Sequence, residues 1–323
     1  MSVGLSNFSQ IAKGQTTCLS NKDVVSQQRK GVQNSEKLFD FNAGASLAGA
    51  GVGLAAPVYT LYDSFKKLTP DAAKETAKGF QMLMPEADTL ERTKEVAAKI
   101  LEESGLKAKG VKVNFIDQTK ESLDRLREII QKDINPTSAI NRRLNSNFYE
   151  TFRFGANAGY FSNANEVVVN SKNLYSTVYH ELGHAMNRNG NWFTRGLQKS
   201  RNITPFGVSL LAPVFLAVGL FHKVDKTKPQ EQKGKLEKTL DFISDNAGKL
   251  TLATYVPMLA EEGLASVRGL KAASKHLPKD VMKKLGGNYL KAWGTYALIA
   301  AAVSGGVALG VRVANNIKEN KFA

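Results

Sequence analysis

Two histidines and a glutamate stand together in the run Tyr179-His180-Glu181-Leu182-Gly183-His184-Ala185. On an α-helix, residues four apart share a face, so His180 and His184 converge on one point and suit a shared metal ion. Glu181 follows the first ligand and turns to the metal's open side, where its carboxylate takes a proton from water. This is the donor pattern of a hydrolytic zinc site, and Zn2+ is the cofactor it implies. Half of the chain's four histidines lie in this one pentapeptide. A helix that carries the same residues without metal is the plain alternative.

A catalytic zinc uses three protein ligands and leaves its fourth position open. The third must come from a helix that packs against the first, and Ala260-Glu261-Glu262-Gly263-Leu264-Ala265-Ser266-Val267-Arg268 is the best source. Glu262, Ala265 and Ser266 fall on one face, with a small residue where two helices press together. Ser266 is then placed to hydrogen-bond a ligand histidine. Glu261 lies about a hundred degrees round the helix, so one of the two glutamates ligates, and Glu262 is the choice. A metzincin needs Gly three and His six residues beyond the second motif histidine, but those places hold Asn187 and Gly190. A hydrolysis that passes through an oxyanion needs a further donor, for which Arg268, His276, Tyr255 and Tyr289 are candidates.

The elements that must position these residues are mostly helical. Apolar residues at helical spacing run from Pro85 to near Gly105, and Glu121–Ile134 forms an amphipathic helix with Leu123, Leu126, Ile129 and Ile130 on one face. Lys112–Ile116 and Glu166–Asn170 read as strands, the second immediately before the motif helix. Such a strand can run along a cleft and pair with an extended peptide, or be an ordinary sheet strand, and the two readings are compatible. Beyond the motif lie apolar stretches at 205–221, 250–260 and 293–311; well before it stands a Gly/Ala-rich uncharged run at 43–62. The first and third of the later stretches approach a bilayer span; 250–260 alone reaches about half of one. A zinc site then requires 205–221 and 250–260 to cross as a pair or not at all, since its ligands must share one side.

The 323 residues suffice for one large domain or two smaller ones. The expected division is a polar arm and apolar segment over 1–62, a helical region with one strand over 63–149, a catalytic core over 150–275 interrupted by an apolar hairpin at 205–260, and a C-terminal apolar helix with a basic tail over 276–323. The single cysteine, Cys18, excludes an internal disulfide and a thiolate zinc site. Residues 1–42 are polar and do not read as a secretory signal. A net charge of +15 is spread along the chain without a nucleic-acid module. No specific nucleic-acid partner is expected, and anionic membrane lipid accounts for the charge better.

Taken together, Tyr179-His-Glu-Leu-Gly-His-Ala185, an apolar hairpin and Pro257-x-x-x-Glu261-Glu262-x-x-Ala265-Ser266-x-Arg268-x-Leu270 resemble the YugP-type neutral zinc metallopeptidases of bacteria, more distantly the HtpX-like membrane proteases. Ala292-Trp-Gly-Thr-Tyr296-Ala-Leu-Ile-Ala300 is similar to the last apolar helix of the first family. The resemblance covers roughly residues 150–312. It implies an α+β, mainly helical fold: a zincin-like catalytic core with a small β-sheet and several membrane-associated apolar helices. It also implies His180, His184 and Glu262 as metal ligands, Glu181 as catalytic base, and a peptide or protein substrate. The bacterial inner membrane is the implied location. An excess of Lys and Arg on the motif's side points to a cytoplasmic active site. The chain departs from the family in its doubled glutamate and its longer, more polar first 140 residues. The rival expectation is a catalytically inactive membrane-associated scaffold that keeps the zinc-binding fold.

Overall fold

The computed structural model describes residues 68–134, 137–222, 224 and 227–320. The expected polar arm and the Gly/Ala-rich run at 43–62 lie outside the described residues. The chain is mainly helical with one small sheet. Its elements in order are α1 (Pro70–Leu83), α2 (Leu90–Glu103), β1 (Lys112–Ile116), α3 (Lys120–Asp133), α4 (Ala139–Arg153), β2 (Gly159–Phe161), β3 (Glu166–Asn170), α5 (Val178–Arg188), α6 (Trp192–Phe221), α7 (Lys235–Ala273) and α8 (Lys279–Asn320).

Local sequence explains the first helices. Thr69, Thr89, Thr119 and Ser138 each precede a helix, and each side-chain oxygen accepts a hydrogen bond from a backbone N–H three residues on. Such caps satisfy donors that the first helical turn leaves unpaired. Gly105, at φ 69°, turns the chain after α2 in a conformation that favours glycine.

The sheet has the order β1-β3-β2, with β1 parallel and β2 antiparallel to β3. All five residues of β3 are buried. Val167 and Val169 join a core with Val96 and Ile100 of α2 and Tyr179, Leu182 and Ala185 of α5. Val168 points the other way, to Leu126 and Ile129 of α3 and Phe152 of α4. Helices on both faces account for the near-continuous apolar run Val167-Val168-Val169. Both edges of β3 are occupied, so it is the ordinary sheet strand, and the peptide-pairing reading of it is corrected. Among the described residues the edge position on that side belongs to β2.

Two compact units divide the described chain, one comprising 68–206 and 255–298, the other 207–254 and 299–320. The sheet and the histidine motif belong to the first. The apolar stretches are parts of longer helices: 250–260 lies inside the 39-residue α7, and 293–311 inside the 42-residue α8. Among the described residues one helix, Lys279–Asn316, is long and apolar enough to cross a membrane. A further apolar stretch, Leu210–Gly219, is shorter than a span.

Candidate metal centre

α5 carries the motif and crosses α7 in direct backbone contact. A Cβ placed on Gly183 would lie 2.0 Å from the carbonyl oxygen of Ala265, and one on Gly269 would lie 2.1 Å from that of Tyr179. Neither position admits a side chain without moving a helix, so these two glycines set the depth of the crossing. The short distance brings the acidic pair on α7 to the histidines on α5.

Three donor atoms meet there. His180 Nε2 and His184 Nε2 are 3.0 Å apart; Glu262 Oε2 lies 3.1 Å from the first and 3.7 Å from the second. A tetrahedral zinc with ligand bonds of about 2.0–2.1 Å separates its donors by roughly 3.3 Å, so this triangle fits the ion. The groups His180–Glu181–His184 and His184–Glu261–Glu262 each bring their donor atoms within 4.8 Å of one another, and these buried His/Glu groups can hold a metal ion.

The two adjacent glutamates take different places. Glu261 Oε1 accepts from His184 Nδ1 at 2.8 Å and from the buried Asn187 amide at 3.0 Å. Glu261 therefore backs the His184 ring and leaves the side of the two Nε2 atoms to Glu262. Ser266 Oγ stands 2.9 Å from His180 Nδ1 and orients the other ligand. With each Nδ1 engaged in this way, both Nε2 atoms are directed at the metal position. Asn187, which the sequence used only to exclude another protease class, holds Glu261 in place.

Arg201 of α6 is the participant the sequence did not reveal. It is 7% exposed, and its Nε lies 2.7 Å from Glu262 Oε1 and 3.6 Å from Glu261 Oε2. Its charge secures the Glu262 oxygen that faces away from the histidines. Burial disfavours ionisation of the Glu261 carboxyl, but His184 and Arg201 outweigh it and hold its pKa down to about 2. Glu262 is likewise held well below the carboxylate range against burial, chiefly by Arg201. The buried cluster sets three carboxylates, those of Glu181, Glu261 and Glu262, against one guanidinium. A divalent cation held there would balance the remaining negative charge of this poorly solvated place.

A cavity of about 60 Å³ opens beside the donors, lined among others by Glu181, Arg201, Asn157, Ala158, Tyr289 and Tyr296. Glu181 is 6% exposed, and its Oε2 has no hydrogen-bond partner among the described residues. Glu86 also lines the cavity and accepts from the backbone N–H groups of Tyr175 and Ser176 and from the Ser176 hydroxyl. These bonds hold the turn that enters α5, in which Leu174 takes a φ of 59°, uncommon for a branched side chain. Burial nevertheless pushes the Glu86 carboxyl pKa up.

Of the four expected oxyanion donors, one reaches the cavity. Tyr289 lines it, but its hydroxyl accepts from His180 N at 3.2 Å and donates to the Ser176 carbonyl at 2.8 Å. His276 Nε2 lies 3.1 Å from Glu103 instead, and Arg268 donates to the Met186 carbonyl at 3.3 Å. Neither these two nor Tyr255 lines the cavity. Tyr296 does, and its hydroxyl makes no hydrogen bond among the described residues. A scan of protein-family models and searches of curated proteins and of solved structures found no match.

Proposed function

We propose that this protein is a membrane-associated zinc metallopeptidase that hydrolyses peptide bonds, with His180, His184 and Glu262 as metal ligands and Glu181 as general base. The observation that carries this reading is the convergence of His180 Nε2, His184 Nε2 and Glu262 Oε2 beside a cavity lined by Glu181, whose Oε2 has no hydrogen-bond partner among the described residues. When bound, zinc supplies a Lewis acid that polarises a carbonyl and acidifies water. Glu181 accepts the proton from the attacking water and passes it to the leaving amine. Glu261, Asn187 and Ser266 keep the imidazoles aligned, and Arg201 keeps Glu262 turned to them.

The developing oxyanion needs a donor aimed at it. Tyr296 is better placed than the four candidates drawn from the sequence, since Tyr289 is engaged and the others lie elsewhere. Tyr296→Phe is then expected to lower kcat by about a hundredfold with zinc content unchanged; unaltered kcat removes it from this role. For a peptide held in extended form, β2 replaces β3 as the strand offered for pairing, and Asn157 and Ala158, just before β2, line the cavity. The apolar span in α8 and the basic charge support membrane association.

The deciding experiment compares two variants. Glu181→Gln retains zinc and loses peptidase activity, whereas His184→Ala loses both. Full cleavage by Glu181→Gln would remove the proposed base. An inactive scaffold closed by Glu261 and Glu262 together gains no support from a Glu261 that bonds His184 Nδ1.

A further inference from the structure

The second unit has a groove of its own. It lies between α7 and α8 over residues 244–252 and 301–316, with a volume of about 700 Å³, within the range of small-molecule sites. The two helices are joined by a short turn and run antiparallel. They meet at Gly248, where an added Cβ would lie 2.5 Å from that of Ala308. This register sets Ser244 beside Arg312 at one end and Leu252 beside Ser304 toward the other.

Its lining is graded along the helices. Arg312, Lys249 and Asp245 mark one end, while Leu252, Ala301 and Gly305 mark the other. Neither Arg312 nor Lys249 has a carboxylate partner among the described residues. Ser244 and Ser304 also line the groove; they are 3% and 6% exposed, and among the described residues neither hydroxyl has a hydrogen-bond partner. Buried hydroxyls are normally paired, and these two stand in the groove wall with their oxygens covered.

We propose that this groove binds one anionic glycerophospholipid. Its phosphate lies against Arg312 and Lys249, where charge-assisted bonds are strongest. A headgroup hydroxyl donates to Asp245, and an acyl chain follows Leu252, Ala301 and Gly305. The small residues of α8 leave the width that such a chain needs, and the charged end excludes a purely hydrocarbon ligand. The site is independent of the peptidase reading.

Native mass spectrometry of the full chain in detergent tests it, with phosphatidylglycerol and phosphatidylcholine as probes and inorganic phosphate as competitor. Phosphatidylglycerol is expected to be retained one per chain, about tenfold better than phosphatidylcholine, and undisturbed by millimolar phosphate. Arg312→Gln should lower retention about tenfold. Gly305→Leu should block it while folding normally, because a Cβ at Gly305 meets open space. Equal retention of both lipids, displacement by phosphate, or undiminished binding in both variants would overturn the proposal.

Discussion

At the scale of single residues, the doubled glutamate is the discriminating feature. Glu262 and Glu261 are neighbours in sequence, yet one faces both Nε2 atoms and the other backs one Nδ1. Their amide variants should therefore differ. Glu262→Gln removes a ligand charge and is expected to abolish stoichiometric zinc binding. Glu261→Gln keeps the ligand set and weakens zinc affinity by about 10–100-fold, the usual effect of losing a partner that orients a ligand. Competition with a chromophoric chelator reads both affinities, and equal losses would refute the division of roles. Arg201 explains why Glu262 keeps its orientation, and no local pattern announced it. The residue precedes an apolar run in which an arginine resembles any helix-flanking cation, and its partners are some sixty positions away.

At the scale of elements, the site depends on how closely α5 and α7 approach. Gly183→Ala would put a methyl group 2.0 Å from the Ala265 carbonyl oxygen, so the helices must part. Overpacking of this kind costs about 1–3 kcal/mol, and the shift carries Glu262 away from the histidines. The variant is expected to unfold at lower temperature and to lose zinc. Gly196→Ala, on exposed helix with nothing near its Cβ, is expected to stabilise by about 0.5–1 kcal/mol. Thermal unfolding of the two variants with elemental analysis checks both, and an unperturbed Gly183→Ala protein would contradict the crossing. The spacing of Leu126, Ile129 and Ile130 made α3 legible, and the strand patterns at 112–116 and 166–170 coincide with β1 and β3. Ala265 stands at the helix contact that its size suggested. The pairing order of the sheet was not legible, because β3 is buried on both faces and an all-apolar strand carries no sign of which neighbour lies on which edge. Helix lengths were hidden too, since apolar runs mark only the middle portions of α7 and α8.

At the scale of the whole molecule, three distant stretches supply the candidate centre: the motif on α5, Arg201 on α6 and the acidic pair on α7. A metal held at their junction binds the folded chain and has no comparable site in the unfolded one. Metal and stability are thereby linked, and saturation at a thousand times the dissociation constant contributes about 4 kcal/mol. Removing metal by chelation should lower the midpoint of thermal unfolding by roughly 10 °C. Zinc should restore it, and magnesium should not, given a donor set of two imidazoles and one carboxylate. The most direct test of the account is the zinc content of the purified full-length chain by elemental analysis. One zinc per chain is the result expected; protein that holds none, and takes up none when zinc is supplied, would contradict the metal centre and the peptidase chemistry built on it.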